Sequence, residues 1–373
     1  MKRKNLRRWI AVTTVLGLLA GCTPAANDGG GQETSGTGSQ PSSGSNVSSE
    51  FESLEPVNVA DFKTAPVVSD YIPDDCNLSG TKADGSKWKI AWLCPDESDE
   101  SMAYMSGLME KGAAEMGFEL ISFDAQNDPQ KQTDQIANAL TQNCDAIIIN
   151  PLDPSALSLP MKRAVDAGCI VINSQNVVND SEAYHCYVGP DDTMAARQMA
   201  SMLMELLPDG GKIVMIDGLM GSTCQINRTA GFRGVMQNYP QYEILEEQSA
   251  QWSTAEAMNI MESYMSKYPE IDAVFSHFDL ATLAVIQSAQ NIGREKDIMF
   301  FSVDGTQGAL DEIAKGGCFK STSMQDFDAN TEIQIKAALA FLNGDGEKIQ
   351  KDTVTANVVI TADNAGDFTA GWG

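Results

Sequence analysis

The stretch AIIINPLDPSALSLPMKRAVDAGCIVINS, residues 146–174, decides the fold. Ala146 to Asn150 is an almost unbroken apolar run, and so is Ile170 to Ser174. Between them, Ser155 to Ala167 carries apolar side chains at helical spacing. A short strand that is apolar at consecutive positions has to bury both of its faces, as strands do in parallel sheets covered by helices. Strand, helix and strand in that order therefore predict a parallel pair with the helix packed over it.

The unit continues in both directions. Upstream lie KIAWLC (89–94), a helical pattern at Met102, Met105, Met109 and Ala113, ELISFD (119–124), and a helix over Lys131 to Gln142. After a break around 179–192 the rhythm restarts with KIVMID (212–217), YEILEEQ (242–248), DAVFS (272–276) and IMFFSVD (298–304). Helices are expected between them over Thr193 to Leu207, Ile226 to Asn238 and Ala255 to Lys267, with another over Asp279 to Gln290. The expected fold is α/β, two doubly wound parallel-sheet units in tandem. Ligands of such sheets bind beyond the C-terminal ends of the strands, which directs attention to the loops that follow them.

The first residues, MKRKNLRRWIAVTTVLGLLAGC, combine a basic stretch with an apolar run from Trp9 to Ala20 that is too short to span a bilayer. This is the layout of a secretory leader over 1–21. Its end, Leu19-Ala20-Gly21-Cys22, resembles a bacterial lipobox, so Cys22 is expected to be acylated and to become the first mature residue. From 22 to 50 the chain is mostly Gly, Ser, Thr, Asn and Gln, too poor in large apolar side chains to offset the entropy of ordering. It is expected to be a flexible tether reaching about 30 Å. Residues 51–88 form an irregular lead-in.

The chain has 373 residues and a formal charge of −26; loss of the leader's five basic residues leaves 20 basic against 51 acidic side chains, or −31. Such a surface repels nucleic acid and anionic lipid, so the expected membrane attachment is the lipid alone. Seven cysteines follow Cys22, with no CxxC and no Cys/His metal spacing, so neither zinc nor another metal is expected. Cys76, in the irregular lead-in, is the candidate for a disulfide.

The segments DAQNDPQKQTDQIANAL, AIIINPLDPSAL, NRTAGFRGV, AVFSHFDLATLAVIQ and FFSVDGTQGALDEIAKG together resemble the type I periplasmic binding proteins. The likeness is to the ribose-binding-like branch that feeds sugar ABC transporters, and it covers Lys89 to about Ile360. It implies two lobes joined by a three-segment hinge and closing on a ligand: lobe 1 over 89–188 plus 326–353, lobe 2 over 189–325 plus 354–373. It also implies no catalysis and no cofactor, a monomer, and an ABC permease with its ATPase as partners. Sugars in this family sit between aromatic rings while amides and carboxylates satisfy their hydroxyls, because a buried unpaired hydroxyl costs about 1–3 kcal/mol.

Residue by residue, the resemblance puts Trp252 at a stacking aromatic, Asp304 at a hydroxyl-binding aspartate and Gln325 at a further polar contact. Gln175 and Asn176 stand where ribose binders have an Asp-Arg pair. Three positions depart from the ribose pattern: Ile226 replaces a second arginine, Phe278 an asparagine, and Ser101-Met102 a pair of aromatics. Asp99, Glu100 and Tyr104 border that first loop and are candidates to take the aromatics' place. The implied pocket is less charged than a ribose site, which favours a small neutral sugar or polyol-like ligand. Asp279 is expected to be a helix N-cap, and Arg228, one turn inside a helix, to be structural.

Other classes fit less well. Only His185 and His277 are present, with no GxSxG elbow, Walker P-loop or HExxH. A repressor of this fold needs a helix-turn-helix ahead of the lobes, where this chain has a leader and tether. A closed form read by a membrane sensor kinase or chemoreceptor, instead of a permease, is compatible with the same sequence. The expected location is the outer face of the cytoplasmic membrane.

Overall fold

The computed structural model describes residues 51–373, so the leader, Cys22 with its expected acylation, and the tether lie outside the described residues. In chain order the first group of elements is β1 (Lys89–Cys94), α1 (Glu100–Met116), β2 (Glu119–Asp124), α2 (Pro129–Thr141), β3 (Ala146–Ile149), α3 (Ser158–Asp166), β4 (Ile170–Ser174) and β5 (Cys186–Pro190). The second begins with α4 (Asp192–Leu206), β6 (Gly211–Asp217), α5 (Thr223–Met236), β7 (Tyr242–Ser249) and α6 (Thr254–Lys267). It continues through β8 (Ala273–Ser276), α7 (Asp279–Asn291), β9 (Met299–Asp304), α8 (Gln307–Ala314) and β10 (Phe319–Met324). Then come α9 (Phe327–Leu342), β11 (Asp352–Thr355) and β12 (Val358–Ile360).

Two six-stranded sheets result, ordered β11-β5-β4-β3-β1-β2 and β12-β10-β9-β8-β6-β7. Every pair in the first is parallel, and in the second only β12 runs antiparallel, against β10. The chain passes between the sheets after β5, after β10 and after β11, which makes the three-segment hinge. Helix α9 returns to the first sheet and packs on α1, β3, β4 and β5.

The apolar strands are explained by burial on both faces. Ile90, Trp92 and Cys94 of β1 join one core cluster, whereas Ala91 and Leu93 join the cluster on the opposite face. In the second sheet, Val214 and Ile216 face one cluster and Ile213 and Met215 the other. Alternation disappears from such strands because neither side meets water.

The expected break around 179–192 needs correction. It holds β5, which pairs with β4 and β11 and is buried throughout. Its sequence CYVGP ends in Gly and Pro, which weaken a strand pattern. The lead-in runs along both lobes: Val59 and Phe62 pack on a core cluster of the second, Ile72 and Trp88 on one of the first. Cys76 is a free, half-buried thiol packed against the first lobe, and the other six described cysteines are free as well.

Candidate ligand-binding cleft

The C-terminal strand ends of the two sheets face each other across a cleft of about 310 Å³. This is at the lower end of the range for small-molecule sites and suits a monosaccharide-sized guest. Lobe 1 lines it with Ser101, Met102, Gln175 and Asn176, and lobe 2 with Trp252, Phe278, Asp304 and Gln325. The eight positions matched to the family's ligand-contact sites thus meet in one place.

Capped helix starts fix the loops that carry them. Asp99 accepts from the Ser101 and Met102 amides (2.9 and 3.1 Å), Ser222 caps α5, Ser253 caps α6 and Thr306 caps α8. Five cleft residues hold left-handed or otherwise strained backbone, Asn127 (φ 60°), Gln175 (55°), Gln251 (52°), Trp252 (61°) and Asp304 (131°). Non-glycine residues adopt such angles only when their surroundings hold them there, and they cluster at ligand clamps. At Gln175 the clamp is the buried Tyr187, whose hydroxyl donates to the Gln175 carbonyl (2.9 Å).

In lobe 2, Trp252 and Phe278 meet edge to face with centroids 5.2 Å apart. Glycine is required beneath them, since a Cβ at Gly218 would fall 1.9 Å from the Trp252 ring. Beside the rings the Asp304 carboxylate accepts from the Asp279 amide and from Gln325 Nε2, both at 3.2 Å. Burial pushes Asp304 well above the usual carboxylate range, with Arg228 pulling against it.

Arg228, expected to be structural, is buried in an ion cluster that also lines the cleft: it is 4% exposed, with Nε donating to Asp192 Oδ1 at 2.8 Å and Nη1 3.5 Å from Asp304 Oδ1. It donates also to the His277 carbonyl and lies 5.8 Å from the centre of the Trp252 ring. Ile226, meanwhile, is 50% exposed and outside the cleft, so the guanidinium enters from two positions further along α5. The cleft therefore holds a buried guanidinium beside the Asp304 carboxylate. Burial works against the guanidinium, but Asp192 and Asp304 more than offset it and keep it ionised.

Asp279 is not the N-cap of its helix, a place taken by Phe278. Instead it is a buried brace for the next strand end, accepting from the Gly305 and Thr306 amides (2.7 and 2.8 Å), from Thr322 Oγ1 (2.7 Å) and from the Ser302 hydroxyl. That brace holds Asp304 in its strained backbone. In lobe 1, Asn176 is largely committed: its Nδ2 donates to Asn150 Oδ1 (2.9 Å) and its Oδ1 accepts from the Cys224 amide of lobe 2 (3.1 Å). With Thr223 Oγ1 donating to the Val177 carbonyl (2.9 Å), it ties the closed lobes together. Of the residues bordering the first loop, Asp99 lines the cleft but caps α1, Glu100 stays outside, and Tyr104 donates to Asp328 (2.7 Å). The aromatics on the lobe 1 side of the cleft are Phe327, two residues beyond Gln325, and Trp372, which the sequence reading did not single out.

Behind the cleft, Asp217 accepts from Gln225 Nε2 (2.9 Å) and Thr229 Oγ1 (3.1 Å) next to the neutral, fully buried His277. Burial and the neighbouring Glu247 push Asp217 up to about 8. Its folded form thus holds a proton that the unfolded chain gives up above about pH 4, and this contribution is lost as pH rises toward 8. We expect the stability of the native chain relative to Asp217→Asn to fall by about 1 kcal/mol per pH unit across that window. Urea unfolding at stepped pH measures it, and a constant gap would show Asp217 to be ionised in the fold.

A sequence model of the periplasmic binding protein domain matches residues 90–348. The xylitol-binding protein of Mycolicibacterium smegmatis is 29% identical over 292 residues, 78% of this chain and 81% of that protein. The ribose import binding protein of Bacillus subtilis is 29% identical over 248 residues, 66% of this chain and 78% of its own length. Among solved structures, an ABC transporter solute binding protein from Bacillus halodurans C-125 with bound myo-inositol superposes with a TM-score of 0.72 at 27% identity, covering 77% of this chain and 98% of that one. The ligands named for these relatives differ. The family model spans more than half of the chain, and on that ground the chain belongs to the periplasmic binding protein family and is a solute-binding protein, not an enzyme.

Proposed function

We propose that this chain captures a small neutral sugar or polyol between its lobes and delivers it to an ABC permease and its ATPase. The observation that carries the reading is the pairing, in one closed cleft, of the Trp252 and Phe278 rings with the Asp304, Gln325 and Arg228 hydrogen-bonding groups. Ring faces suit the C–H surface of a cyclic or extended polyol, and the carboxylate and amides suit its hydroxyls. Relatives named for xylitol and ribose, and one holding myo-inositol, support that class. Ligand contacts both lobes only when they are closed, so its differential affinity drives closure, and the permease reads the closed form. Acylation at Cys22 and a tether through residue 50 would keep the receptor at the outer face of the cytoplasmic membrane, as a monomer beside its partner.

Titration calorimetry over xylitol, D-ribose, myo-inositol, an amino acid and a nucleoside tests the assignment. Heat with a sugar or polyol is expected; heat only with the amino acid or nucleoside overturns it. Trp252→Ala is expected to weaken binding at least tenfold, about 1.4 kcal/mol, with the fold intact by circular dichroism. Unchanged affinity would remove Trp252 from the contact surface.

A further inference from the structure

The segment Ala370–Gly373 has its main chain on one lobe and its one large side chain on the other. Its backbone is tied to the first turn of α8 in lobe 2: the Gln307 amide donates to the Trp372 carbonyl (2.9 Å) and the Gly308 amide to the Gly373 carbonyl (2.8 Å). The Ala370 amide donates back to Gln307 Oε1 (3.0 Å). First-turn amides have no partner inside their own helix, so the segment satisfies two that would otherwise need water. The indole points the other way. It meets Phe327 edge to face at 5.3 Å, joins the edge of a lobe 1 core cluster, and lines the cleft. Gly371 lies against the Tyr104 hydroxyl so closely that a Cβ there would fall 1.9 Å from it. Tyr104 is itself held by Asp328 at the start of α9.

We propose that Ala370–Gly373 is a working part of the binding site: Trp372, with Phe327, supplies the lobe 1 aromatic wall, and the segment clasps the lobes so that bound ligand leaves slowly. Opening the cleft must either break the main-chain bonds to α8 or pull the indole away from Phe327. Both sets of contacts exist together only in the closed form, so the segment adds to the differential stabilisation of that form. It also accounts for Ser101-Met102 at the first loop, since the aromatic surface absent there arrives from the far end of the chain. The inference rests on the reading of the cleft as a sugar or polyol site.

The test compares the full chain, Trp372→Ala, Trp372→Phe and a chain lacking 370–373. Without ligand, amide exchange at Gln307 and Gly308 is expected to be at least tenfold faster in the shortened chain, with β9 amides unchanged. Equal exchange overturns the docked segment. With xylitol, D-ribose and myo-inositol as probes, stopped-flow release from Trp372→Ala and from the shortened chain is expected to be at least tenfold faster than from the full chain. Trp372→Phe should retain most of the slow release, and thermal midpoints should be alike. Equal release rates overturn the clasp and the wall. If the full chain binds none of the three probes, the sugar reading fails, and the clasp then stands or falls on amide exchange alone.

Discussion

Asp304→Asn is expected to weaken ligand binding by about a hundredfold or more, about 2.7 kcal/mol, while changing stability by no more than about 1 kcal/mol. The two effects separate because the carboxylate has different partners in each. In the fold it accepts from the Asp279 amide and Gln325 Nε2, and Arg228 retains Asp192 when Asp304 becomes neutral. Burial already disfavours the charge, so the neutral isostere relieves desolvation. Asparagine also tolerates unusual backbone better than most residues, which matters at φ 131°. Toward the ligand nothing compensates. A carboxylate takes charge-assisted hydrogen bonds from two hydroxyls, whereas an amide offers one acceptor and turns a donor toward the other. Calorimetry with the best-binding probe, beside a thermal melt, gives both numbers. An affinity within threefold of the native chain would remove Asp304 from the contact set.

Arg228→Met is expected to cost about 3–5 kcal/mol of stability as well as the ligand. The guanidinium is the counter-ion of two buried carboxylates, Asp192 (4% exposed) at 2.8 Å and Asp304 (8%) at 3.5 Å. Removing it strands both, and a buried charge without its partner is among the costliest single defects. The stranded carboxylates would take up protons, so their folded pKa values rise further. The variant should then be least impaired in acid and lose stability as pH climbs toward those raised values. A double variant with Asp192→Asn separates pair loss from lost packing: it should recover about half of the deficit, and the double-mutant cycle gives the coupling. Full stability in Arg228→Met alone would mean that the three groups do not act as an ion cluster.

The single observation about Arg228 shows how far sequence reached. Helix α5 was legible from its spacing, but its buried face includes Gln225, Arg228, Thr229, Gly231 and Phe232, so polarity does not mark which side meets solvent. The side chain's direction depends on Asp192 and Asp304, which are distant in sequence and are brought near only by packing. Asp279 was misread for a similar reason. An acid opening a helix is locally an N-cap, and nothing local reveals that the Gly305-Thr306 turn and Thr322 arrive to occupy its carboxylate instead.

The sequence by itself determined the α/β rhythm and the loops in which cleft residues lie, since burial of both strand faces and amphipathic helices are written in local periodicity. The resemblance to the periplasmic binding proteins singled out eight candidate residues in those loops, and all eight line one cleft. Only the tertiary structure decided the rest. β10, FKSTSM, reads as polar yet is almost wholly buried, because Ser321, Thr322 and Ser323 donate to Ile360, Asp279 and Gln198. β5 becomes a strand because it pairs with β4 and β11, and β11 because it pairs with β5. Trp372 reaches the cleft from a segment that carries no ligand signature of its own. Periodicity reports how one element meets its surroundings, whereas a site made by two closing lobes is a relation between elements, and folding alone supplies that relation.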